Sequence, residues 1–150
     1  VSIKHFCCNN QEDNRTFVSA NVSLKALEEI YFRGFRIAIR ESHPWTVMTS
    51  YNKVNGTHVC NSEYLCTQIL RNDLGFDGLV MTDWNASMQC SHAEVINAGN
   101  DLIIPGDKNV INDLRKALKQ GKLDTGRLRS SAGRVLELIF NSEVNRDFGG

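Results

Sequence analysis

Short apolar runs alternate with stripes of helical period along this 150-residue chain, and that alternation admits few architectures. Val1-Ser2-Ile3 is a first run, leading into a polar loop, Asn9-Asn10-Gln11-Glu12-Asp13-Asn14-Arg15. Ser23 is placed to cap a helix whose Leu24, Leu27, Tyr31, Phe35 and Ala38 recur three and four apart, and Pro44 stops it. Trp45-Thr46-Val47-Met48-Thr49 reads as a second strand, and residues 50–56 as the loop leaving it. Asn61 or Ser62 caps the next helix, marked by Leu65, Ile69 and Leu70 and closed near Gly75. Leu79-Val80-Met81 is a third strand, and a weaker helix from Met88 to Ala98 ends at Gly99. Asp101-Leu102-Ile103-Ile104 is a fourth strand, broken by Pro105-Gly106. A helix through Val110, Ile111, Leu114 and Leu118 stops at Gly121, and Asp124 caps a last one through Leu128, Ala132, Val135 and Ile139. Asp147-Phe148-Gly149-Gly150 reads as a frayed end.

Four strands, each followed by a helix, make an α/β chain equal to half of a (β/α)8 TIM-like barrel, whose usual size is about 250 residues. An open four-stranded parallel sheet with helices on both faces also suits this length. Such a fold binds nucleotides through glycine-rich loops, however, and no GxGxxG or GxxxxGK[ST] occurs. With 41% hydrophobic residues, the chain holds enough apolar surface for one domain and one core.

Seventeen basic and seventeen acidic side chains cancel, so no global field draws in nucleic acid or an anionic membrane. No apolar stretch approaches the roughly 20 residues that span a bilayer. Five cysteines, Cys7, Cys8, Cys60, Cys66 and Cys90, form no CxxC pair, which fits reduced thiols of a cytosolic protein better than a disulfide framework or zinc ribbon. His58 near Cys60, and Cys90 near His92, match no zinc spacing, so no metal is expected.

The chemistry-bearing residues lie where strands end. In strand-then-helix repeats that is the edge that carries function. Lys4 and His5 leave the first strand with Arg15 on the loop behind, Tyr51 leaves the second, and Asp83 with Trp84 leaves the third. A pyranose offers hydroxyls at its rim and C–H bonds on its face, so charged donors and an aromatic platform suit it. Lys4, His5 and Arg15 supply the donors and Trp84 the platform. Lys4 and Arg15 would hold Asp83 ionised, as a nucleophile requires, and Tyr51 could donate its phenolic hydrogen to that carboxylate. Each residue also has a plainer reading: Asp83 a helix cap, Lys4 and Arg15 solvated charges, His5 a core histidine, Tyr51 rim packing, Trp84 an anchor for the next helix.

Four motifs, in order, carry a resemblance. They are Lys4-His5-Phe6 with the polar loop 9–15; Val47-Met48-Thr49-Ser50-Tyr51-Asn52-Lys53-Val54-Asn55-Gly56; Gly75-Phe76-Asp77-Gly78-Leu79-Val80-Met81-Thr82-Asp83-Trp84; and Ala98-Gly99-Asn100-Asp101-Leu102-Ile103-Ile104-Pro105-Gly106. From Lys4 to about Ile139 the chain resembles family 3 glycoside hydrolases, the group containing many β-glucosidases and β-xylosidases. The resemblance implies that Asp83 is the catalytic nucleophile of a retaining, exo-acting hydrolase that forms a covalent glycosyl-enzyme. It makes Lys4, His5 and Arg15 ligands of the sugar hydroxyls, Tyr51 the neighbour of the nucleophile and Trp84 a wall of the same subsite. It implies no metal or organic cofactor.

The polar loop resembles that of the glucosidase and xylosidase branch, not the N-acetylglucosaminidase branch, whose loop carries a His-Asp acid. In the branch resembled, the acid/base is a Glu of a separate domain; Glu12 and Asp13 match loop positions instead. The resemblance therefore implies that residues 1–150 are the carboxyl-terminal half of a catalytic barrel, part of a longer chain. Its partners would be a β-linked glucoside or xyloside, the remaining barrel half and the acid/base domain. A non-catalytic carbohydrate-binding or structural barrel fragment is the alternative, although binding alone does not call for a nucleophile motif.

Overall fold

The computed structural model describes residues 1–142; the expected frayed end at 147–150 lies outside them. Its strands are β1 Ser2–Phe6, β2 Ser19–Ala20, β3 Thr46–Thr49, β4 Lys53–Val54, β5 Thr57–His58 and β6 Leu79–Met81. The α-helices are α1 Leu24–Ala26, α2 Arg33–Ser42, α3 His92–Ala98, α4 Lys108–Lys119 and α5 Thr125–Asn141. Wide π-helical turns form Leu27–Tyr31 and Tyr64–Asp73.

β1, β3 and β6 form one parallel sheet in that order, an α/β arrangement in which helical segments connect the strands. Val47 and Val80, paired across β3 and β6, are fully buried in one core with Leu27, Phe32, Leu65 and Leu70. Their neighbours Met48 and Met81 pair on the other face and are half-buried. A second core joins Val95 and Ile96 of α3 to Ile103, Val110 and Leu123.

Local chemistry explains most boundaries. The Ser23 hydroxyl accepts the Ala26 N–H at 3.2 Å, and the Asp124 carboxylate accepts that of Arg127 at 2.7 Å, so both expected caps form. Ser62, one of the two candidates for the middle helix, accepts the Leu65 N–H. That helix is wide rather than α because its apolar residues also repeat five apart. Ile69 and Leu74 are both buried, and the Leu74 N–H bonds the Ile69 carbonyl at 2.9 Å. Leu27 and Phe32 repeat the pattern before α2. α2 ends at Ser42, and His43 adopts a left-handed conformation ahead of Pro44.

β1 runs three residues beyond the expected stub, through a bulge. Its register passes from Ile3 opposite Val47 to Phe6 opposite Thr49, one extra residue on β1. In an unbroken strand Ile3 and Phe6, three residues apart, would face opposite sides of the sheet; the bulge brings both into the same core. Residues 50–56, expected as loop, contain β4 and a tight turn into β5, where Asn55 and Gly56 take the positive φ of 49° and 90° that a two-residue hairpin requires. β2 pairs with β4 and ties the polar loop to this hairpin.

The expected fourth strand, Asp101 to Ile104, is reduced to a single parallel bridge between Met81 and Leu102. Here a side chain replaces the ladder. The Asp101 carboxylate accepts the Val80 N–H at 2.9 Å, while the Asp101 and Leu102 N–H groups both turn to the Val80 carbonyl. The weaker helix expected from Met88 is also shorter: a 3-10 turn, Ala86–Gln89, precedes α3.

Candidate active site

Parallel pairing gathers the carboxyl ends of β1, β3 and β6 at one edge. Asp83 follows β6 by two residues. Between them Thr82 is fully buried, its N–H bonded to the Leu102 carbonyl and its hydroxyl accepting the Ile104 N–H. Asn85, left-handed at φ 60°, donates its N–H to the Ile104 carbonyl and turns the chain. Asp83 therefore projects from a segment fixed on both sides. Its Oδ1 accepts the Trp84 N–H at 2.7 Å, a bond within its own turn rather than a cap on a following helix.

The other oxygen of Asp83, Oδ2, stands 3.3 Å from His5 Nε2, with the carboxylate side chain 13% exposed and the imidazole 32%. His5 lies within the β1 bulge. Arg15 does not reach Asp83 as expected: its guanidinium bonds Glu12 at 2.6 Å and lies over the Tyr51 ring, 4.4 Å from the centroid. The loop Glu12 therefore neutralises Arg15. Lys4 is exposed, and no ion pair of its ammonium is seen among the described residues. His5, not Lys4 or Arg15, is thus the basic side chain in contact with the carboxylate.

Tyr51 takes a main-chain partner as well. Its hydroxyl donates to the Trp84 carbonyl at 2.7 Å, with the Asp83 carboxylate near enough to interact with the same hydroxyl. The phenol pKa is raised, first by burial and then by the Asp83 charge, with Arg15 opposing. Trp84 is 59% exposed. Arg15, Tyr51 and Trp84 line a cleft of about 300 Å³ with Thr16, Asn85, Ala86, Met88 and Gln89; His5 and Asp83 are not in its lining, although Asp83 immediately precedes Trp84 in the chain. A larger hollow, about 430 Å³, lies at the opposite ends of β3 and β6, around Trp45, Asp77 and Arg134, away from this chemistry.

Thr82, Asn85 and Met88 were not among the residues singled out from sequence; nor was Asp101, which holds the strand beneath the site. The side chain of Asp101 has no exposed surface and takes Arg71 at 2.6 Å and Arg134 at 3.0 Å. Arg71 also donates to the Gly78 and Gly99 carbonyls, both at 3.0 Å, so the strand entering the site and the segment beside it share one anchor. Nothing in the spacing of Arg71, Asp101 and Arg134 announces this; only Asn85, two residues past the motif aspartate, belongs to a residue type that favours left-handed turns.

Among the described residues no group of three or more His, Cys, Asp or Glu is arranged to hold a metal ion, and no helix is long and apolar enough to cross a membrane.

Comparison with known proteins places the chain. Residues 1–138 match the model of the glycosyl hydrolase family 3 N-terminal domain. A curated β-glucosidase of Ruminococcus albus is 41% identical over an alignment of 157 positions, covering 95% of this chain and 16% of that protein. An exo-alpha-(1->6)-L-arabinopyranosidase of Bifidobacterium breve is 37% identical over 139 residues, covering 93% of this chain and 18% of its own length. The solved structure of β-glucosidase 3B from Thermotoga neapolitana in complex with glucose superposes with a TM-score of 0.93 at 41% identity, over 98% of this chain and 21% of that one. The chain thus spans less than a quarter of the relatives it matches. It belongs to glycosyl hydrolase family 3, with residues 1–138 in that family's N-terminal domain.

Proposed function

We propose that the protein carrying this chain is a retaining, exo-acting β-glycosidase of β-glucosidase or β-xylosidase type, and that Asp83 is its nucleophile. The observation that carries this reading is Asp83 itself: a largely shielded carboxylate at the carboxyl end of a buried strand, oriented by the Trp84 N–H and by His5, beside an exposed indole. In the first step an Asp83 oxygen bonds to the anomeric carbon as the bond to the leaving oxygen breaks, and a general acid protonates that oxygen. In the second, water activated by the same group displaces Asp83.

His5, Lys4 and Arg15 hydrogen-bond the sugar hydroxyls in this reading, and Trp84 packs on the sugar face. Tyr51 acts on the site by holding the Trp84 main chain. The acid/base must stand about 5 to 5.5 Å from the nucleophile in a retaining enzyme. Glu12, the acidic side chain the resemblance sets aside, is occupied by Arg15. As the resemblance to the glucosidase and xylosidase branch implies, the acid/base is a Glu of another domain of the parent chain, and the other barrel half completes the sheet beside β1 and Leu102. The half-exposed Met48 and Met81 then line the barrel interior, and the isolated segment is inactive or nearly so.

The test is Asp83→Asn in the full-length protein, assayed on aryl β-glucoside, β-xyloside and α-L-arabinopyranoside, the last because a relative bears that activity in its name. Turnover is expected to fall by about 10⁴-fold or more, and a 2-fluoro-glycoside is expected to label Asp83. Near-normal turnover of the variant, or a label on another residue, sinks the assignment. Sugar binding by a parent that turns over none of these glycosides favours a binding module instead.

A further inference from the structure

Two thiols meet behind the Trp84 segment. Cys60 belongs to the 3-10 turn Val59–Asn61 that follows β5, and Cys90 closes the turn Ala86–Gln89 that follows Asp83 and Trp84. Their Sγ atoms stand 3.7 Å apart across 30 residues of chain. Cys60 is 1% exposed and rigidly seated: its carbonyl accepts the Asn100 amide at 2.6 Å, and its thiol lies 3.7 Å from the Ala86 carbonyl. Cys90 is half-buried and lines a hollow of about 370 Å³ with Met88, His92 and Lys116. One thiol can be reached by a small solute, and the other waits directly behind it.

We propose that Cys60 and Cys90 form a reversible dithiol–disulfide modification site, in which Cys90 meets a peroxide oxidant and Cys60 closes the bond. The Cys90 thiolate attacks one peroxide oxygen; the O–O bond breaks, and the departing hydroxide takes a proton to become water, leaving a sulfenic acid on Cys90. The Cys60 sulfur then attacks the Cys90 sulfur; the S–O bond breaks, and the hydroxyl leaves with the Cys60 proton as a second water. Two thiols lose two electrons and two protons, and one peroxide becomes two waters.

The order of attack has an electrostatic cause. Hydrogen bonding from Cys60 lowers the Cys90 pKa, whereas that same pairing, followed by burial, pushes Cys60 up. Cys66, fully buried, is pushed up to about 12 by that burial and is a poor competitor. Cys7 and Cys8 are 0% and 7% exposed, less open than the half-buried Cys90, and the hollow that Cys8 lines, about 180 Å³, is the smaller of the two. Bond formation needs the sulfurs to close from 3.7 Å to about 2.05 Å, a movement within reach of side-chain rotation and a small shift of the 3-10 turn. The cross-link then fastens the cleft-lining turn with Met88 and Gln89 to the base of the Tyr51 hairpin. None of this depends on the sugar-cleaving reading.

The test exposes the full-length protein, fully reduced and desalted, to hydrogen peroxide. Remaining thiols are then alkylated after denaturation, and the unreduced digest is mapped by mass spectrometry. A Cys60–Cys90 cross-linked peptide that dithiothreitol removes is expected, with slower hydrogen exchange over residues 84–89 in the oxidised protein. Cys60→Ser should leave a sulfenic acid on Cys90 that dimedone traps, and Cys90→Ser should leave Cys60 as an alkylatable thiol. Both cysteines alkylated in the peroxide-treated wild type, Cys90 joined to another cysteine, or Cys90 overoxidised without a bond to Cys60 would each overturn the site. Unchanged exchange over 84–89 would overturn its effect on the cleft.

Discussion

His5 Nε2 and Asp83 Oδ2 stand 3.3 Å apart although β1 and β6, which carry them, are not neighbours in the sheet. β3 lies between. The contact spans the end of the central strand, where β3 has already turned into the Tyr51 hairpin, and the bulge in β1 supplies the extra residue that lets His5 be offered at this edge while Ile3 and Phe6 both stay in the core. Core packing and site geometry are thereby set by one irregularity.

Tyr51→Phe removes the hydroxyl that holds the Trp84 carbonyl at 2.7 Å and leaves the ring beneath Arg15. One such bond is worth about 1 kcal/mol, or about a fivefold change in an equilibrium or rate. In the full-length protein, kcat/KM is expected to fall by roughly that factor, with Asp83 labelling by the 2-fluoro-glycoside retained. Steady-state kinetics on the aryl glycoside check this; a loss as deep as that of Asp83→Asn would mean that Tyr51 touches the reacting atoms.

Asp101→Asn should be among the most destabilising single substitutions in this segment. It deletes the charge that Arg71 and Arg134 share, in a place where the Asp101 side chain is wholly buried and Arg71 is 9% exposed. Removing one member of a buried ionic group costs about 3–5 kcal/mol. Arg134→Gln should cost less, because that side chain is 29% exposed and Arg71 remains on the carboxylate. Urea midpoints of the two variants test the order; equal midpoints would show that Asp101 does not anchor β6.

His58 predicts an acid-sensitive component of stability. It is 7% exposed, its Nδ1 faces the Tyr51 carbonyl at 3.1 Å, and its pKa is held below the ordinary 6.5 by burial first, with Lys53, its cross-strand neighbour, adding to the effect and the Tyr51 carbonyl opposing it. The unfolded chain therefore takes the proton first. Stability is fully present above the unfolded value, declines as pH falls below about 6.5, and levels off once pH passes the depressed folded value. His58→Gln should flatten that decline. Denaturation midpoints measured from about pH 7.5 to pH 5 read it, and parallel slopes for wild type and variant would refute the assignment.

Much of the framework was legible in residue order because its causes are local. Ser23 and Asp124 cap the helices they precede, Pro44 follows the end of α2, and Leu79-Val80-Met81 is a buried strand whose exit presents Asp83. The Asn55-Gly56 hairpin was equally local, and its signal stood in the chain. The wide helix Tyr64–Asp73 was readable in principle from apolar residues five apart, a period easily hidden among those three and four apart.

Other features had no local cause. Arg15 chooses Glu12 and the Tyr51 ring over Asp83, Tyr51 chooses the Trp84 carbonyl, and the Asp101 carboxylate takes the N–H that a fourth strand would have bonded. In the last two the partners lie 33 and 21 residues apart, and for Arg15 a carboxylate three residues away competes with one far along the chain. Each outcome follows from which of these groups the packed strands and helices bring within about 3 Å, where hydrogen-bond strength depends steeply on distance and angle. Residue types and periods were therefore enough for the elements, their order and the family motifs. Three-dimensional packing set the partners of Asp83, Tyr51 and Arg15, because hydrophobic periodicity specifies a buried face but not which buried polar atoms will meet there.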